Sequence, residues 1–113
     1  MRISGCFRPV AATVFLVSTA VGMTGCGDPA DKARNYAASG DAYVGKKEFK
    51  EAEIEYRRAL AETPNAADVR YKLGRVYQDN GDLVKAYTEY ARAGDLDPSN
   101  IDAHLRAGTI LLL

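Results

Sequence analysis

The stretch GDAYVGKKEFKEAEIEYRRALAETP at residues 40–64 is matched, position for position, by GRVYQDNGDLVKAYTEYARAGDLDP at residues 74–98. The step from Gly40 to Gly74 is the period, and the same step from Gly74 leads to Gly108. The residues that recur identically are Gly40, Tyr43, Ala52, Glu55, Tyr56, Arg58, Ala59 and Pro64, which return as Gly74, Tyr77, Ala86, Glu89, Tyr90, Arg92, Ala93 and Pro98. A fixed period of this length indicates stacked units that bury a core only against one another. The sequence therefore predicts a repeat architecture rather than a single globular core.

Each period contains two helical stretches. In the second copy, apolar residues recur at helical intervals at Val69, Leu73, Val76 and Tyr77. The tripeptide Asn80-Gly81-Asp82 then supplies a helix stop, a turn glycine and an N-cap. In the first copy, the predicted first helix begins at Asp28-Pro29 and the turn lies at Gly45. The apolar face of its second helix carries Phe49, Ala52, Ile54 and Tyr56. After the second copy, Ser99 with Asp102 predicts a capping box before a further helix. We expect small residues where paired helices cross, at Gly40, Ala52, Gly74 and Ala86.

This spacing of small residues, aromatics and proline resembles the tetratricopeptide repeat. The resemblance implies an all-α fold: a right-handed superhelical stack of antiparallel helix pairs, with two full repeats and the first helix of a third. The implied divisions are repeat 1 at 33–66, repeat 2 at 67–100 and a partial repeat 3 at 101–113. Four residues depart from the repeat pattern, namely Ser39, Arg70, Gly94 and His104. These departures predict a marginally stable stack of the same fold. Separately, the apolar residues 109–113 predict an end that self-associates or frays unless another element covers it.

The segment 1–25 has the features of an export signal, because two arginines flank the start of an apolar stretch at Val10–Val21 that small residues follow. That stretch is shorter than the roughly 20 residues that a membrane span needs. Met23-Thr24-Gly25-Cys26 resembles the lipobox of bacterial lipoproteins, although leucine is preferred where Met23 stands. The resemblance implies that Cys26 is lipidated and becomes the new N-terminus, with residues 26–32 as a lipidated tether.

Two interpretations of Cys26 remain open at this point. The alternative to lipidation is that the signal is an ordinary secretory one, cleaved near Ser18-Thr19-Ala20, which leaves Cys26 as a free thiol. The cysteine count favours the lipoprotein, because Cys6 would leave with the signal and no cysteine would remain to pair with Cys26. Gly27 after the cysteine, where aspartate is absent, resembles lipoproteins sent to the outer membrane. The expected location is therefore the bacterial cell envelope, at the outer membrane and facing the periplasm.

Charge and composition argue against several other classes of function. The sequence has 15 basic and 15 acidic residues, and 13 of the basic ones remain once the leader is set aside. Because phosphate binding needs a clustered basic face, we expect no nucleic-acid partner. The single histidine, His104, cannot build a zinc site, and no nucleophile motif accompanies it. We therefore expect no enzyme activity, no cofactor, no metal and no small-molecule substrate.

Binding of protein or peptide partners is the function that this resemblance implies, through a concave groove lined by the first helix of each repeat. Carrying the family's groove positions onto this sequence gives Arg34, Ala37, Asp41, Val44, Asp68, Tyr71, Arg75, Gln78, Asp102, Leu105, Thr109 and Leu112. From this set we take the partner groove to be Arg34, Asp41, Asp68, Tyr71, Arg75, Gln78, Leu105 and Thr109.

Two classes of function follow from these features. The first is a membrane-anchored scaffold for protein–protein interactions in the envelope, in exopolysaccharide or protein export. The sequence of residues 52–60 and 70–74 supports a role in export, because it is similar to tetratricopeptide lipoproteins of exosortase systems. The second class is an accessory or N-terminal region of a larger enzyme, or a component of a secretion or pilus assembly.

Overall fold

The structure, a computed structural model, describes residues 27–113, and that part of the chain folds into five α-helices. They are α1 (Pro29–Gly45), α2 (Phe49–Glu62), α3 (Ala67–Asp79), α4 (Leu83–Leu96) and α5 (Ile101–Leu111). Each helix packs against the next one along the chain, so that α1 with α2 and α3 with α4 form pairs and α5 packs on α4. The predicted all-α stack of two helix pairs and a further helix is confirmed. The signal at 1–25 and Cys26 lie outside the described residues.

Local sequence sets most helix ends. The carboxylate of Asp28 accepts a hydrogen bond from the Ala30 N–H, and Pro29 occupies the first turn of α1, as predicted. Between α3 and α4, Gly81 has a φ of 81° and Asp82 accepts a bond from the Lys85 N–H at 3.2 Å. Glycine is favoured there, because most side chains disfavour this left-handed conformation, although Lys47 adopts it one period earlier with a φ of 60°.

Three predicted ends differ from the structure. Because α1 begins at Pro29, residues 29–32 of the predicted tether 26–32 are already helical. The N-cap of α5 is Asn100, whose side chain accepts from the Ala103 N–H at 3.0 Å, whereas Ser99 bonds to Asp97. In the turn after α1, the left-handed residue is Lys47 rather than Gly45. Each correction shifts an end by a few residues and leaves the helices in place.

The core lies between the helices and is made mostly of alanines, glycines and tyrosines, together with Val69, Leu73 and Val76 of α3. Ala52 and Ala86 are completely buried, which confirms the predicted crossings. The rings of Tyr56 and Tyr90 lie directly on Gly40 and Gly74, so closely that a Cβ atom on either glycine would come within 3 Å of the ring. The repeated glycines therefore leave the space in which the repeated tyrosine rings pack. Ile54 was predicted on the same apolar face, but it is 51% exposed because it points outward from α2.

Three of the departures from the repeat pattern are explained by contacts between helices. Arg70 pairs with Glu89 of α4 at 2.9 Å, with both side chains largely buried, and its guanidinium also donates to the Pro64 carbonyl. The imidazole of His104 lies over Gly94, where a Cβ would come within 2.5 Å of the ring. Gly94 thus makes room for a side chain of α5, which explains a glycine inside a helix.

Overpacking at a helix crossing provides a test of the repeat alignment. We expect Ala86→Leu to lower the free energy of unfolding by about 1 to 3 kcal/mol, because Ala86 is 0% exposed and the added carbons have no space. Ala91→Leu on the same helix is the matched control, since Ala91 is only partly buried. Urea denaturation of both variants measures the difference. Equal losses would mean that Ala86 does not lie at the crossing.

Candidate functional site

The first helices of successive repeats lie side by side, because side chains of α1, α3 and α5 bond directly to one another. Lys72 of α3 reaches Asp41 of α1, and Arg106 of α5 reaches Tyr71 and Gln78 of α3. These three helices form the face that we call the groove. It contains the side chains that the sequence predicted for partner binding.

The junction of α1 and α3 is centred on Asp41. Its carboxylate accepts hydrogen bonds from the Tyr56 hydroxyl at 2.6 Å and from Lys72 Nζ at 2.9 Å. Burial alone would raise the pKa of Asp41, but the bonds from Tyr56 and Lys72 outweigh burial and hold that pKa below its usual value. Asp41 therefore ties one repeat to the next and is already engaged.

The junction of α3 and α5 holds a larger polar network. Tyr71 donates its hydroxyl proton to Asp102, and Arg106 Nε donates to both groups, at 3.0 Å and 2.9 Å. Gln78 accepts from the Tyr90 hydroxyl at 2.7 Å. Hydrogen bonds from Arg106 and Tyr71 lower the pKa of Asp102. Two predicted groove residues, Tyr71 and Gln78, are thus occupied in joining repeats.

Sequence reasoning missed Arg106, which organises this junction. Its guanidinium also lies over the rings of Tyr71 and Tyr90, each 5.9 Å from the ring centroid. The available signal was its position four residues after Asp102, which is the spacing of an ion pair on one helix face.

Arg75 stands in the middle of the groove and is exposed. Among residues 27–113 it makes no hydrogen bond within normal distance and no ion pair, although its charge acts on Tyr56, Tyr90 and Asp102. Asp79, one turn further along α3, lines the same small cavity of about 40 Å³ without pairing with it. Arg75 is therefore the predicted groove cation that remains available to a partner.

A wider cleft opens at the N-terminal end of the groove. It has a volume of about 590 Å³ and brings the predicted residues Arg34 and Asp68 to one site, between α1 and the turn that leads into α3. Its walls are mostly apolar, from Ala33, Ala37 and Val69. Arg34 pairs with Asp31 on the surface, whereas Asp68 forms no ion pair within the described part of the chain. An apolar cleft with charges at its rim suits part of a peptide.

Predicted groove residues in α5 and directly after it are exposed. Leu105 is 63% and Leu112 88% exposed. The Thr109 hydroxyl donates to the Leu105 carbonyl at 2.8 Å, which leaves its oxygen able to accept a further bond. These residues extend the groove beyond the last paired helix.

Residues 27–113 contain no cluster of three or more His, Cys, Asp or Glu side chains able to hold a metal ion. Within the same residues, no helix is both long and apolar enough to cross a bilayer.

Comparison with known proteins gives a consistent result. A family model described as "TPR repeat" matches residues 40–81, and one described as "Tetratricopeptide repeat" matches residues 67–100. The two matches together cover more than half of the chain. The mouse (Mus musculus) protein "Superkiller complex protein 3" is 33% identical over 72 residues, which are 59% of this chain and 5% of that protein.

Solved structures show the same arrangement of helices. One described as "Crystal structure of MamA" is 31% identical to this chain with a TM-score of 0.69, covering 74% of this chain and 48% of the other. A second, "Crystal structure of MamA protein", has a TM-score of 0.68 at 31% identity, with 74% and 45% covered. The chain therefore spans about half of these solved proteins and a small part of the mouse protein.

Proposed function

Because this chain belongs to the tetratricopeptide-repeat family, we propose that it is a lipid-anchored scaffold that binds partner proteins at the bacterial cell envelope. The repeats make it a scaffold for protein–protein interactions, and stacks of this kind typically bind rather than catalyse. The proposal adds the anchor, the compartment and the chemistry of the groove.

The anchor is supported by the sequence Met23-Thr24-Gly25-Cys26 after an apolar leader. Several acyl chains on Cys26 would hold the protein lastingly at a membrane, since each buried methylene contributes about 0.8 kcal/mol. Gly27 supports the outer membrane as the destination. The similarity to exosortase-system lipoproteins supports a setting in exopolysaccharide or protein export.

Replacement of Cys26 tests the anchor. In a Gram-negative host we expect Cys26→Ser to move the protein from the membrane to the soluble periplasmic fraction and to abolish labelling by palmitate, because the acylated sulfur is gone. Cys6→Ser is the matched control and should change neither result, since Cys6 lies in the removed signal. A Cys26→Ser protein that stays in the membrane and is cleaved normally would exclude lipidation there.

The binding proposal rests on one observation in the groove: Arg75 is exposed and has no ion-pair partner among residues 27–113. The neighbouring carboxylates Asp41 and Asp102 are each neutralised by a cation, Lys72 and Arg106. A partner peptide that offers an acidic side chain would therefore meet an exposed guanidinium whose neighbouring carboxylates are already paired. We assign the groove to extended segments that carry at least one carboxylate.

An array of random dodecapeptides tests the groove. We expect the chain to select peptides that contain Asp or Glu, and Arg75→Glu to weaken their binding at least tenfold, about 1.4 kcal/mol, because attraction becomes repulsion. Lys50→Glu makes the same charge change on the exposed side of α2, outside the groove. The assignment fails if selected peptides lack acidic residues or if the two variants lose affinity equally.

A further inference from the structure

The cleft of about 590 Å³ lies inside the stack, between α1 and the turn that leads into α3. Its apolar walls come from Ala33 and Val69, which are buried, and from Ala37, which is partly buried. The carboxylate of Asp68 is exposed at its rim. We call this cavity the N-terminal cleft. Because α1 and α3 are each paired within their own repeat, the cleft is a gap between two complete repeats.

One period later, a tyrosine bridges the equivalent place. Ala37 corresponds to Tyr71, and Asp68 corresponds to Asp102. Tyr71 of α3 donates its hydroxyl proton to Asp102 in the first turn of α5. Between α1 and α3 no such bridge exists, because the side chain of Ala37 ends at Cβ. The N-terminal cleft therefore lies where the second junction holds a phenol ring.

Asp68 also lacks the cation that its equivalent receives. Lys72 stands four residues after Asp68, at the spacing of an ion pair, but its Nζ atom pairs with Asp41 of α1 at 2.9 Å. In the next junction the position of Asp41 is taken by a second cation, Arg75, and Arg106 pairs along its own helix at 2.9 Å. Among residues 27–113, the Asp68 carboxylate is thus left with neither a hydroxyl donor nor an ion pair.

We propose that the N-terminal cleft binds a tyrosine side chain of the partner peptide, with the ring between Ala37 and Val69 and the hydroxyl donating to Asp68. The inference rests on the proposed function, because it adds a second contact to the acidic segment assigned to the groove. An ionised carboxylate only accepts hydrogen bonds, so it selects a side chain that donates one. The apolar walls favour a ring over an ammonium group, which would lose its hydration there.

The geometry of α3 sets the spacing of the two contacts in the peptide. Asp68 and Arg75 are seven residues apart, which places them on the same side of the helix. At 1.5 Å per residue, that separation is about 10 Å along α3. An extended peptide advances about 3.3 Å per residue, so the tyrosine and the acidic residue should stand about three residues apart.

Short capped peptides with a fluorescent label test the cleft by titration with the full chain in a mild detergent. The parent sequence is Gly-Ser-Tyr-Gly-Ser-Glu-Ser-Gly, and its reverse keeps the spacing in the opposite chain direction. In the direction that binds more tightly, phenylalanine in place of tyrosine should weaken binding about fivefold, because the bond to Asp68 is lost. Alanine should weaken it at least tenfold, because the ring contact is lost as well. The amide chemical shifts of Ala37 and Val69 should move with the parent peptide and not with the alanine peptide.

Two variants of the protein act on the cleft itself. Ala37→Tyr fills it with the side chain that Tyr71 carries one period later, so the tyrosine and alanine peptides should bind equally while the melting temperature does not fall. Asp68→Ala should remove the preference for tyrosine over phenylalanine and leave the phenylalanine peptide unaffected. Asp95→Ala is the matched control, because it removes an exposed carboxylate from α4, outside the groove, and should change neither preference.

The same titrations separate this inference from the acidic-peptide proposal. Arg75→Glu should weaken the parent and the alanine peptide by the same factor, because it acts on the glutamate. If Arg75→Glu has no effect and tyrosine is still preferred, the acidic assignment is wrong and the cleft assignment stands.

Four results would overturn the cleft assignment. Equal affinities of the tyrosine and alanine peptides, or a tyrosine preference that survives Ala37→Tyr, would place the ring elsewhere. A peptide with arginine at the tyrosine position that binds as tightly as the parent would mean that Asp68 takes a cation. A dimer that Ala37→Tyr dissociates in sedimentation, or amide shifts at residues 20–26 that change with Ala37→Tyr, would mean that a second copy or the chain's own N-terminal segment occupies the cleft.

Discussion

Replacing Gly74 with alanine lowers the free energy of unfolding by about 3 kcal/mol, whereas the same change at Gly108 raises it by up to about 1 kcal/mol. The two glycines hold the same position in successive repeats. At Gly74 the new Cβ would lie 2.8 Å from the ring of Tyr90, which is fully buried and bonded to Gln78. At Gly108 the Cβ meets open space. Only the gain in helix propensity remains there.

Urea denaturation followed by circular dichroism measures both changes. The pair is internally controlled, because the substitution, the helix position and the gain in propensity are the same. Gly40→Ala should behave as Gly74→Ala does, since its Cβ would lie 2.6 Å from Tyr56. A stabilising Gly74→Ala would show that Tyr90 does not rest on that glycine.

Replacing Arg70 with alanine also lowers the free energy of unfolding by about 3 kcal/mol, because Glu89 is left as a poorly paired and largely buried carboxylate. The side chains of Arg70 and Glu89 are 16% and 13% exposed. The nearest remaining cation, Arg92, lies 3.8 Å from Glu89. The Pro64 carbonyl also loses both of its bonds from the Arg70 guanidinium.

Two variants check this explanation by chemical or thermal denaturation. Arg34→Ala removes an ion pair from the surface, where the side chains of Arg34 and Asp31 are 76% and 58% exposed, and should cost only about 0.5 kcal/mol. The double variant Arg70→Leu with Glu89→Leu should recover most of the stability, since an apolar pair can replace a buried ion pair. A double variant as unstable as Arg70→Ala would assign the loss to packing and not to the stranded charge.

Prediction from sequence was strongest where the deciding residues are neighbours in the chain. The caps at Asp28 and Asp82 and the glycine turn at Gly81 bond within three residues, so a local pattern identifies them. The cap of α5 was misassigned by one residue, because Ser99 and Asn100 are both good caps and only geometry selects Asn100. Arg70 and Gly94 were predicted as weak points, and their partners, Glu89 and His104, emerged only with the structure.

For the candidate site, the repeat period predicted which residues lie on the groove but not which of them are available. Asp41, Tyr71 and Gln78 are engaged by Lys72, Tyr56, Asp102, Arg106 and Tyr90. Most of these bonds join residues from 12 to 35 positions apart, beyond the reach of any local pattern. Arg75 and Thr109 could not be distinguished from Asp41 by sequence alone. The cleft shared by Arg34 and Asp68 also needed two helices in place.

The sequence by itself determined that this chain is a stack of helix pairs with one fixed period, because periodicity, caps and small residues are local features that each act within a helix or a turn. The tertiary structure decided which charges are neutralised and which glycines carry a ring. Those outcomes depend on contacts between helices. There a shift of a few tenths of an ångström decides whether a ring fits over a glycine and whether a carboxylate is hydrogen-bonded. The chain thus encodes its fold repeat by repeat, and its binding surfaces only once the repeats are packed.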